Sequence, residues 1–436
     1  MDLTGKHVAI LGVGRSGRAA AALALREGAR VSAWDSAGTE AFAGMPEGVE
    51  IHPDATEAEG RDLTSDLLVV SPGIDTYGSY VAAFSQHTKE VTGEVELAAR
   101  FYQGKIIGIT GTNGKTTTTE LIERILSHAA LGGTACGNYG TPFAEVVLQM
   151  NPPTVVSLEL SSFQLETIST LHPVVAVWLN FAPDHMDRYP TVEAYRAAKL
   201  RIFQNQTAAD SAVVRTGEEL PDLAARVVTF STENPSADWY SKGQTIVHRG
   251  AVWLDMERDT SLRGLHNAEN TMAALAACQA LGISAPMMQE ALQGYAPPPH
   301  RCELIRTLDG VEYLNDSKAT NLHALESALR SQTRPVVLIA GGKEKGLDYT
   351  PVVPLLVKKA LAVVTFGQIA RPLAALFSQA IHCESVSTLA AAVATARSLA
   401  PRGSTVLLSP GTSSFDQFTG YEQRGNTFRD LVHQLR

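Results

Sequence analysis

The sequence predicts an α/β protein of three domains, and three observations carry that expectation. Short β-branched runs alternate with longer Ala- and Leu-rich stretches. Two glycine-rich turns each follow such a run and open a helix. A length of 436 residues makes about three domains at roughly 150 residues apiece. The runs are His7 to Leu11, Val31 to Trp34, Leu67 to Val70, Ile106 to Thr110, Val155 to Leu160 and Val174 to Leu179. They resume with Val336 to Ala340, Leu361 to Phe366 and Thr405 to Ser409. Most are continuously apolar rather than alternating, the pattern of parallel strands covered by helices on both faces. Ala296-Pro297-Pro298-Pro299 breaks the chain before the last three runs, because consecutive prolines lack N–H donors and hold the backbone extended. Lys89 to Gly104 separates a finished βαβ series from a fresh strand. Domains are therefore expected at 1–93, 94–298 and 299–436.

Composition narrows the class of function. Hydrophobic residues at 44% and charged residues at 19% describe a chain that folds throughout. A formal net charge of −9, from 36 basic against 45 acidic residues, argues against nucleic-acid binding and against a polybasic membrane anchor. No apolar run approaches the ~20 residues of a membrane span, and MDLTGKHVAILG reads as a polar turn entering a strand. A cytoplasmic protein is expected. Cys136, Cys278, Cys302 and Cys383 lie far apart with no CxxC pair, which disfavours a disulfide framework or a structural zinc site. They read as buried thiols.

The first chemical signal is Gly12-Val13-Gly14-Arg15-Ser16-Gly17, after a strand and opening an Ala-rich helix, with Asp35 closing the next strand. Such glycines let backbone amides approach a pyrophosphate, and the acid can accept from a ribose or base. The same glycines also serve a purely steric turn. Either NAD or a UDP-linked ligand suits the pyrophosphate geometry.

A second signal is Lys105-Ile106-Ile107-Gly108-Ile109-Thr110-Gly111-Thr112-Asn113-Gly114-Lys115-Thr116-Thr117. Its amides can cradle ATP phosphates, Lys115 can reach the β and γ groups, and the Thr116 hydroxyl can ligate Mg²⁺. A strict P-loop carries glycine where this chain has Ile109, so Gly108 or Gly111 must make the turn. Glu159, at the end of its strand, stands where α/β sheets place their ligands and can hold a metal directly or through water.

The loop Gly111-Thr112-Asn113-Gly114-Lys115-Thr116-Thr117 resembles the ATP-binding loop of the Mur ligases, the ATP-dependent amide-bond-forming enzymes of peptidoglycan precursor synthesis. Further motifs resemble the D-glutamate-adding branch: Leu158-Glu159-Leu160-Ser161-Ser162-Phe163-Gln164-Leu165-Glu166, Asp184-His185-Met186-Asp187-Arg188-Tyr189 and Tyr195-Arg196-Ala197-Ala198-Lys199-Leu200-Arg201. So do Asn315-Asp316-Ser317-Lys318-Ala319-Thr320-Asn321, Ser71-Pro72-Gly73-Ile74, Asp416-Gln417-Phe418 and Glu422-Gln423-Arg424-Gly425-Asn426. The Asp-Asn-Pro-Arg motif of the diamino-acid adders is absent. The likeness, from Gly12 to Gly425, implies a Rossmann-like N-terminal domain, a central P-loop-type ATPase domain and a Rossmann-like C-terminal domain. It implies ATP and Mg²⁺ as cofactors, UDP-MurNAc-L-alanine and D-glutamate as small-molecule substrates, and a monomer.

The resemblance also implies residue roles. For ATP it implies Gly111, Thr112, Asn113, Gly114, Lys115, Thr116, Thr117, Asn267, Asn270, Arg301 and Asp316. For the UDP-linked substrate it implies Gly14, Arg15, Ser16, Asp35, Ser36, Ser71, Gly73 and Asn138. Metal ligands would be Thr116, Glu159, His185 and a carbamylated Lys199, with Lys115, His185 and Lys199 catalytic. D-Glutamate would meet Lys318, Thr320, Lys345, Ser414 and Tyr421. Competing readings remain beside several of these. His185 can be structural, Asp184 and Asp187 can cap the next helix, and Asn267 can be an N-cap. Lys199, with Tyr195 and Phe203 on its helical face, can be a snorkelling surface lysine. Lys343 is a second amine beside Lys345, and Tyr421 stands where relatives carry Phe. Rival functions are another Mur-type ligase, a folylpolyglutamate synthetase, an NAD-dependent oxidoreductase resting on Gly12 to Asp35, and a P-loop ATPase switch. A folylpolyglutamate synthetase has no need of the extra N-terminal nucleotide domain.

Overall fold

The computed structural model describes the chain except for Asp187, Arg263 and 296–298, and apart from the His323 side chain. Of the proline break read as a domain boundary, Ala296-Pro297-Pro298-Pro299, all but Pro299 thus lies outside the described residues. The fold is α/β throughout, with two compact units: Met1–Leu254 with Glu269–Gln293, and Asp255–Ala268 with Gly294–Arg436.

The first unit holds two large sheets. One has five parallel strands in the order Glu50–His52, Arg30–Trp34, His7–Leu11, Leu67–Val70, Val91–Gly93. This is the Rossmann half-order, and its topological switch falls between His7–Leu11 and Leu67–Val70, where such sheets open a ligand crevice. The loops beginning at Gly12 and Ser71 leave from that point, and Ser71 Oγ donates to the Gly12 carbonyl at 2.8 Å. The segment read as a separator is itself structured, because Val91–Gly93 completes this sheet and Glu94–Ala99 is a helix.

The second sheet has nine strands, with Lys105–Thr110 between Val155–Glu159 and Val175–Trp178, parallel to both. Its register places Glu159 beside Ile109, and Trp178 beside Thr110. Thr110, Glu159 and Leu179 therefore reach one carboxyl edge together. Ile109 is fully buried within its strand, so it cannot begin the turn. That role falls to Gly111, at φ 150°, and Gly114, at φ 87°. A Cβ on Gly111 would meet Leu179 Cβ at 2.9 Å and one on Gly114 would meet Asn270 Oδ1 at 2.2 Å.

The second unit is built on six strands in the order Glu303–Leu308, Val311–Asn315, Thr405–Leu408, Val336–Gly341, Ala360–Phe366, Cys383–Ser385. Only the first pair is antiparallel. Asn315 and Ile339 both stand beside Leu408, so the loops that follow these strands leave from one edge.

The glycine turn of the first sheet has unequal tolerances. A Cβ on Gly17 would lie 1.9 Å from the Gly12 carbonyl oxygen, whereas one on Gly14 meets nothing within 4 Å. Gly17→Ala is expected to lose roughly 1–3 kcal/mol in urea denaturation, the cost of an extra methyl in a packed site. Gly14→Ala should lose less than about 1 kcal/mol, the scale of a helix-cap preference. Equal losses would remove the steric account of Gly17.

Candidate active site

The turn after Lys105–Thr110 is pinned from the segment that follows the neighbouring strand Val175–Trp178. Thr112 N donates to Asn180 O at 2.9 Å, Asn113 N to Asn180 Oδ1 at 2.9 Å, and Asn180 Nδ2 returns a bond to Asn113 O at 3.0 Å. Thr112 Oγ1 donates to Ala182 O at 3.1 Å. Gly114 caps the helix Lys115–His128 without a side chain, which leaves helix-start amides for an anion. Lys115 lies back over the turn, its Nζ donating to Gly111 O at 2.8 Å and Thr112 O at 3.0 Å.

Lys199 reaches the same carbonyl. Its Nζ donates to Gly111 O at 3.0 Å and lies 4.9 Å from the centre of the Tyr195 ring. The residue is 2% exposed, so the surface-lysine reading fails. Burial, and then the charge of Lys115, hold its ammonium well below the ordinary lysine range, while Asp184 and Glu159 pull the other way. Glu159 is equally buried, and its Oε1 accepts from Asn138 Nδ2 at 2.6 Å. Its Oε2 is buried with no hydrogen-bond partner. An orphaned carboxylate oxygen is costly unless a cation or water meets it, so Glu159 fits a hard divalent cation. An unmodified ammonium at Lys199 does not. Among the described residues no group of three His, Cys, Asp or Glu could hold a metal alone, so a metal here would need hydroxyl, phosphate or modified-lysine oxygens.

His185 sits on a left-handed backbone, φ 57°, with its side chain 47% exposed and edge-on to Phe163 at 5.0 Å. The helix Val192–Leu200 is capped by Thr191, which accepts from Ala194 N. Asp184 is therefore not its cap, and Asp187 lies outside the described residues. Next along the motif, Arg188 lies over the Phe163 ring at 4.0 Å and donates to Pro72 O at 2.9 Å and Ile74 O at 2.7 Å. It also meets Thr76 Oγ1, Asp75 and the buried Glu166, which accepts in turn from the Tyr189 hydroxyl at 2.5 Å. Sequence reasoning assigned Arg188 and Glu166 no role, yet they tie the Ser71-Pro72-Gly73-Ile74 loop to the edge that carries His185.

In the first sheet, Asp35 accepts from Val13 N at 3.0 Å and from Ala37 N at 2.9 Å, one bond on each carboxylate oxygen. Its placement is thus explained without a ribose. Gly14 and Arg15 are exposed at the helix start, Ser16 is half-buried, and Ser36 is exposed beside Asp35. A Cβ on Gly73 would meet nothing within 4 Å, so its surroundings are open. Asn138, grouped by resemblance with these residues, donates to Glu159.

In the second unit, Asn267 is 4% exposed and lies inside the first turn of the helix Leu265–Ala280, past the cap position. Asp316 accepts from Ser409 Oγ at 2.9 Å and Cys302 N at 3.2 Å, and burial pushes its carboxyl up to about 7. Arg301 is half-buried, and its charge opposes that shift. Lys318 Nζ stands 3.8 Å from the Tyr421 ring centre, Thr320 is half-buried, and Ser414 is 2% exposed. Lys343 and Lys345 are both exposed. Among the described residues no helix is long and apolar enough to cross a membrane.

Known proteins resemble this chain in sequence and in fold. Residues 109–278 match the Mur ligase middle domain, and residues 300–411 match the Mur ligase glutamate ligase domain. The chain is 42% identical, over the full length of both, to the UDP-N-acetylmuramoylalanine--D-glutamate ligase of Myxococcus xanthus. It is 38% identical to the enzyme of the same name from Geobacter metallireducens, covering 100% of this chain and 99% of that one. In fold it is similar to a pseudomurein peptide ligase type C from Methanothermus fervidus, with TM-score 0.62 and 16% identity over 99% of this chain and 100% of that one. A MurF ligase from Thermotoga maritima, in complex with ADP, gives TM-score 0.62 at 16% identity over 99% and 96%.

The buried Lys199 ammonium should cost stability in a pH-dependent way. Its pKa is lower folded than unfolded, so the unfolded chain binds the proton more tightly. The penalty is complete below the folded pKa and vanishes as pH rises to the ordinary lysine value near 10.4. Lys199→Met, in bicarbonate-free buffer, should therefore melt above the parent protein at neutral pH, with the gap closing toward pH ~10. A gap that is absent or widens with pH would contradict a buried, destabilised ammonium.

Proposed function

The chain belongs to the Mur ligase family, and on that footing we propose that it joins D-glutamate to the alanyl carboxylate of UDP-N-acetylmuramoyl-L-alanine, using ATP, in peptidoglycan precursor synthesis. One observation carries the reading beyond family membership. A glycine turn with open helix-start amides, a helix-start lysine, a buried second lysine and an orphaned carboxylate oxygen meet at one strand edge.

A carboxylate is a poor acyl donor. Its oxygen attacks the γ-phosphorus of ATP, ADP leaves, and the amine then attacks the acyl phosphate carbon and expels phosphate. Such transfer relies on positioning and positive charge rather than on a protein nucleophile. We assign the 111–117 turn to the phosphates, Lys115 to the transferring group, and Asn267, Asn270, Arg301 and Asp316 to the nucleotide. Mg²⁺, when bound, would neutralise phosphate charge, with Thr116 and Glu159 as ligands and His185 and carbamylated Lys199 completing the set. Carbamylation joins the neutral lysine amine to CO₂ and releases a proton. The burial that depresses the Lys199 ammonium supplies that neutral amine.

Gly14, Arg15, Ser16, Asp35, Ser36, Ser71, Gly73 and Asn138 are assigned to the UDP substrate. Lys318, Thr320, Lys345, Ser414 and Tyr421 are assigned to D-glutamate, whose two carboxylates need donors. The proposed division of labour is 1–93 for the UDP substrate, 94–298 for ATP and 299–436 for the amino acid, in a monomeric cytoplasmic enzyme.

The deciding experiment is phosphate release with UDP-MurNAc-L-alanine and ATP against a panel of D- and L-amino acids. Release is expected with D-glutamate and not with L-glutamate, since pairing both carboxylates fixes where the amine points. Equal turnover with L-alanine or a diamino acid would overturn the assignment.

Lys199 supplies a second test. Lys199→Ala should be severely impaired and partly rescued by a small carboxylate able to enter the vacated space, while Lys199→Arg should not be rescued. Near-normal activity of Lys199→Ala without rescue would end the carbamate reading.

A further inference from the structure

The motif Glu422-Gln423-Arg424-Gly425-Asn426 contains a charged side chain that no step above employs. Arg424 is 0% exposed, near the start of the helix Tyr421–Gln434, and no carboxylate pairs with it among the described residues. Burying an unpaired cation is costly, so the fold must draw a return from its donors. Those donors converge on two loops. Nε donates to Ser317 Oγ at 3.0 Å, Nη2 to Ser317 O at 2.8 Å and Thr412 O at 3.3 Å, and Nη1 to Thr412 O at 3.2 Å.

The loops so joined carry the residues assigned to the amino acid. Ser317 precedes Lys318, and its hydroxyl donates onward to Tyr421 O at 2.8 Å. Thr412 lies two residues before Ser414, and its hydroxyl donates to Lys343 O at 2.6 Å. Lys343 N donates to Ser413 O at 2.9 Å, which brings the Lys343–Lys345 loop into the same set. A Cβ on Gly342 would lie 3.2 Å from Arg424 Nη1 and 2.3 Å from Ser413 O, so the third loop runs directly against the guanidinium. The planar fork suits this task, since its donors are fixed in one plane at known angles, whereas an ammonium's three donors rotate on a flexible stem. The charge is itself apt for a dianionic substrate, because beneath three loops it adds positive potential at their common edge.

We propose that Arg424 is a positioning residue for the amino-acid substrate, holding the 316–321, 342–346 and 411–416 loops in the spacing that a two-carboxylate ligand requires. The proposal rests on the D-glutamate reading above. Burial pushes the guanidinium down to about 10, so it stays charged throughout the neutral range.

Two variants test it. Arg424→Lys keeps a cation and loses the fork; Ser317→Ala removes the hydroxyl that links Arg424 to Tyr421 O. In folded Arg424→Lys, KM for D-glutamate should rise about tenfold or more, with KM for ATP and for UDP-MurNAc-L-alanine within about twofold. Ser317→Ala should move D-glutamate KM the same way by roughly threefold. An unchanged D-glutamate KM in either folded variant, or three KM values rising together, overturns the proposal. If Arg424→Lys does not fold, Ser317→Ala alone decides.

Amide hydrogen exchange separates this failure from failure of the function itself. Arg424→Lys, or Ser317→Ala in its place, should speed exchange in 316–321 and 411–416 while the strand Val336–Gly341 keeps its protection. Unchanged exchange overturns the positioning role. Absence of D-glutamate-dependent phosphate release from the parent enzyme instead overturns the substrate.

Discussion

Two lysine nitrogens converge on one main-chain oxygen, and the first unit is organised around keeping them there. Lys115 and Lys199 both donate to Gly111 O, which places the nitrogens no more than about 6 Å apart. Were both charged, their repulsion would be on the order of 3 kcal/mol at a partly screened site. The fold resolves this by burying one of them. Lys199 is enclosed on a helix capped by Thr191, while Lys115 stays half-buried at the helix start. The two lysines are thus in distinct settings: one half-buried at the helix start, the other enclosed with its charge suppressed by burial. Glu159, with one oxygen committed to Asn138 and the other without a hydrogen bond, joins Asp184 in favouring the Lys199 charge against burial.

That cluster could be assembled only at a sheet edge. Parallel strands end together, so the residue after each strand arrives at a common face, and the register of Lys105–Thr110 with its two neighbours sets which residues meet. The same rule operates in the six-stranded sheet, where the loops after Asn315, Gly341 and Leu408 share an edge. In the five-stranded sheet it brings Gly12 and Ser71 together at the switch point. One constraint repeated on three sheets explains why the proposed ligand residues are scattered along the sequence yet grouped within each sheet.

Much of this was legible beforehand, and what was not has a physical cause. Continuous β-branched runs located the strands, because strands buried on both faces must be apolar on both faces. Elements that departed from this pattern were overlooked. The strand Arg226–Ser231 carries exposed and half-buried positions, and Gly132–Gly137 is rich in glycine. The glycine loop advertised its chemistry locally, but which glycine turns the chain depended on Ile109 being paired on both sides within the sheet. Asn138 was grouped with the UDP substrate, and its bond to Glu159 spans 21 residues. Arg188 meets Pro72 across 116 residues, and Arg424 meets Ser317 across 107. Periodicity reports which face a residue occupies and is silent about partners at such separations.

Those long-range arginines share a logic that differs from that of the lysines. Each presents a rigid fork to main-chain carbonyls of a loop from a distant part of its unit, Arg188 to Pro72 and Ile74, Arg424 to Ser317 and Thr412. A loop built from Ser, Pro and Gly has few side chains with which to hold itself, and its carbonyls are the groups it can offer. A bidentate donor fixes direction as well as distance, and the Arg424 guanidinium, pushed down by burial to about 10, stays charged at neutral pH. Lys199 is therefore placed where its charge is suppressed, and the two arginines where a fixed direction is needed. In this molecule the choice between the two cations follows the difference between chemistry and alignment.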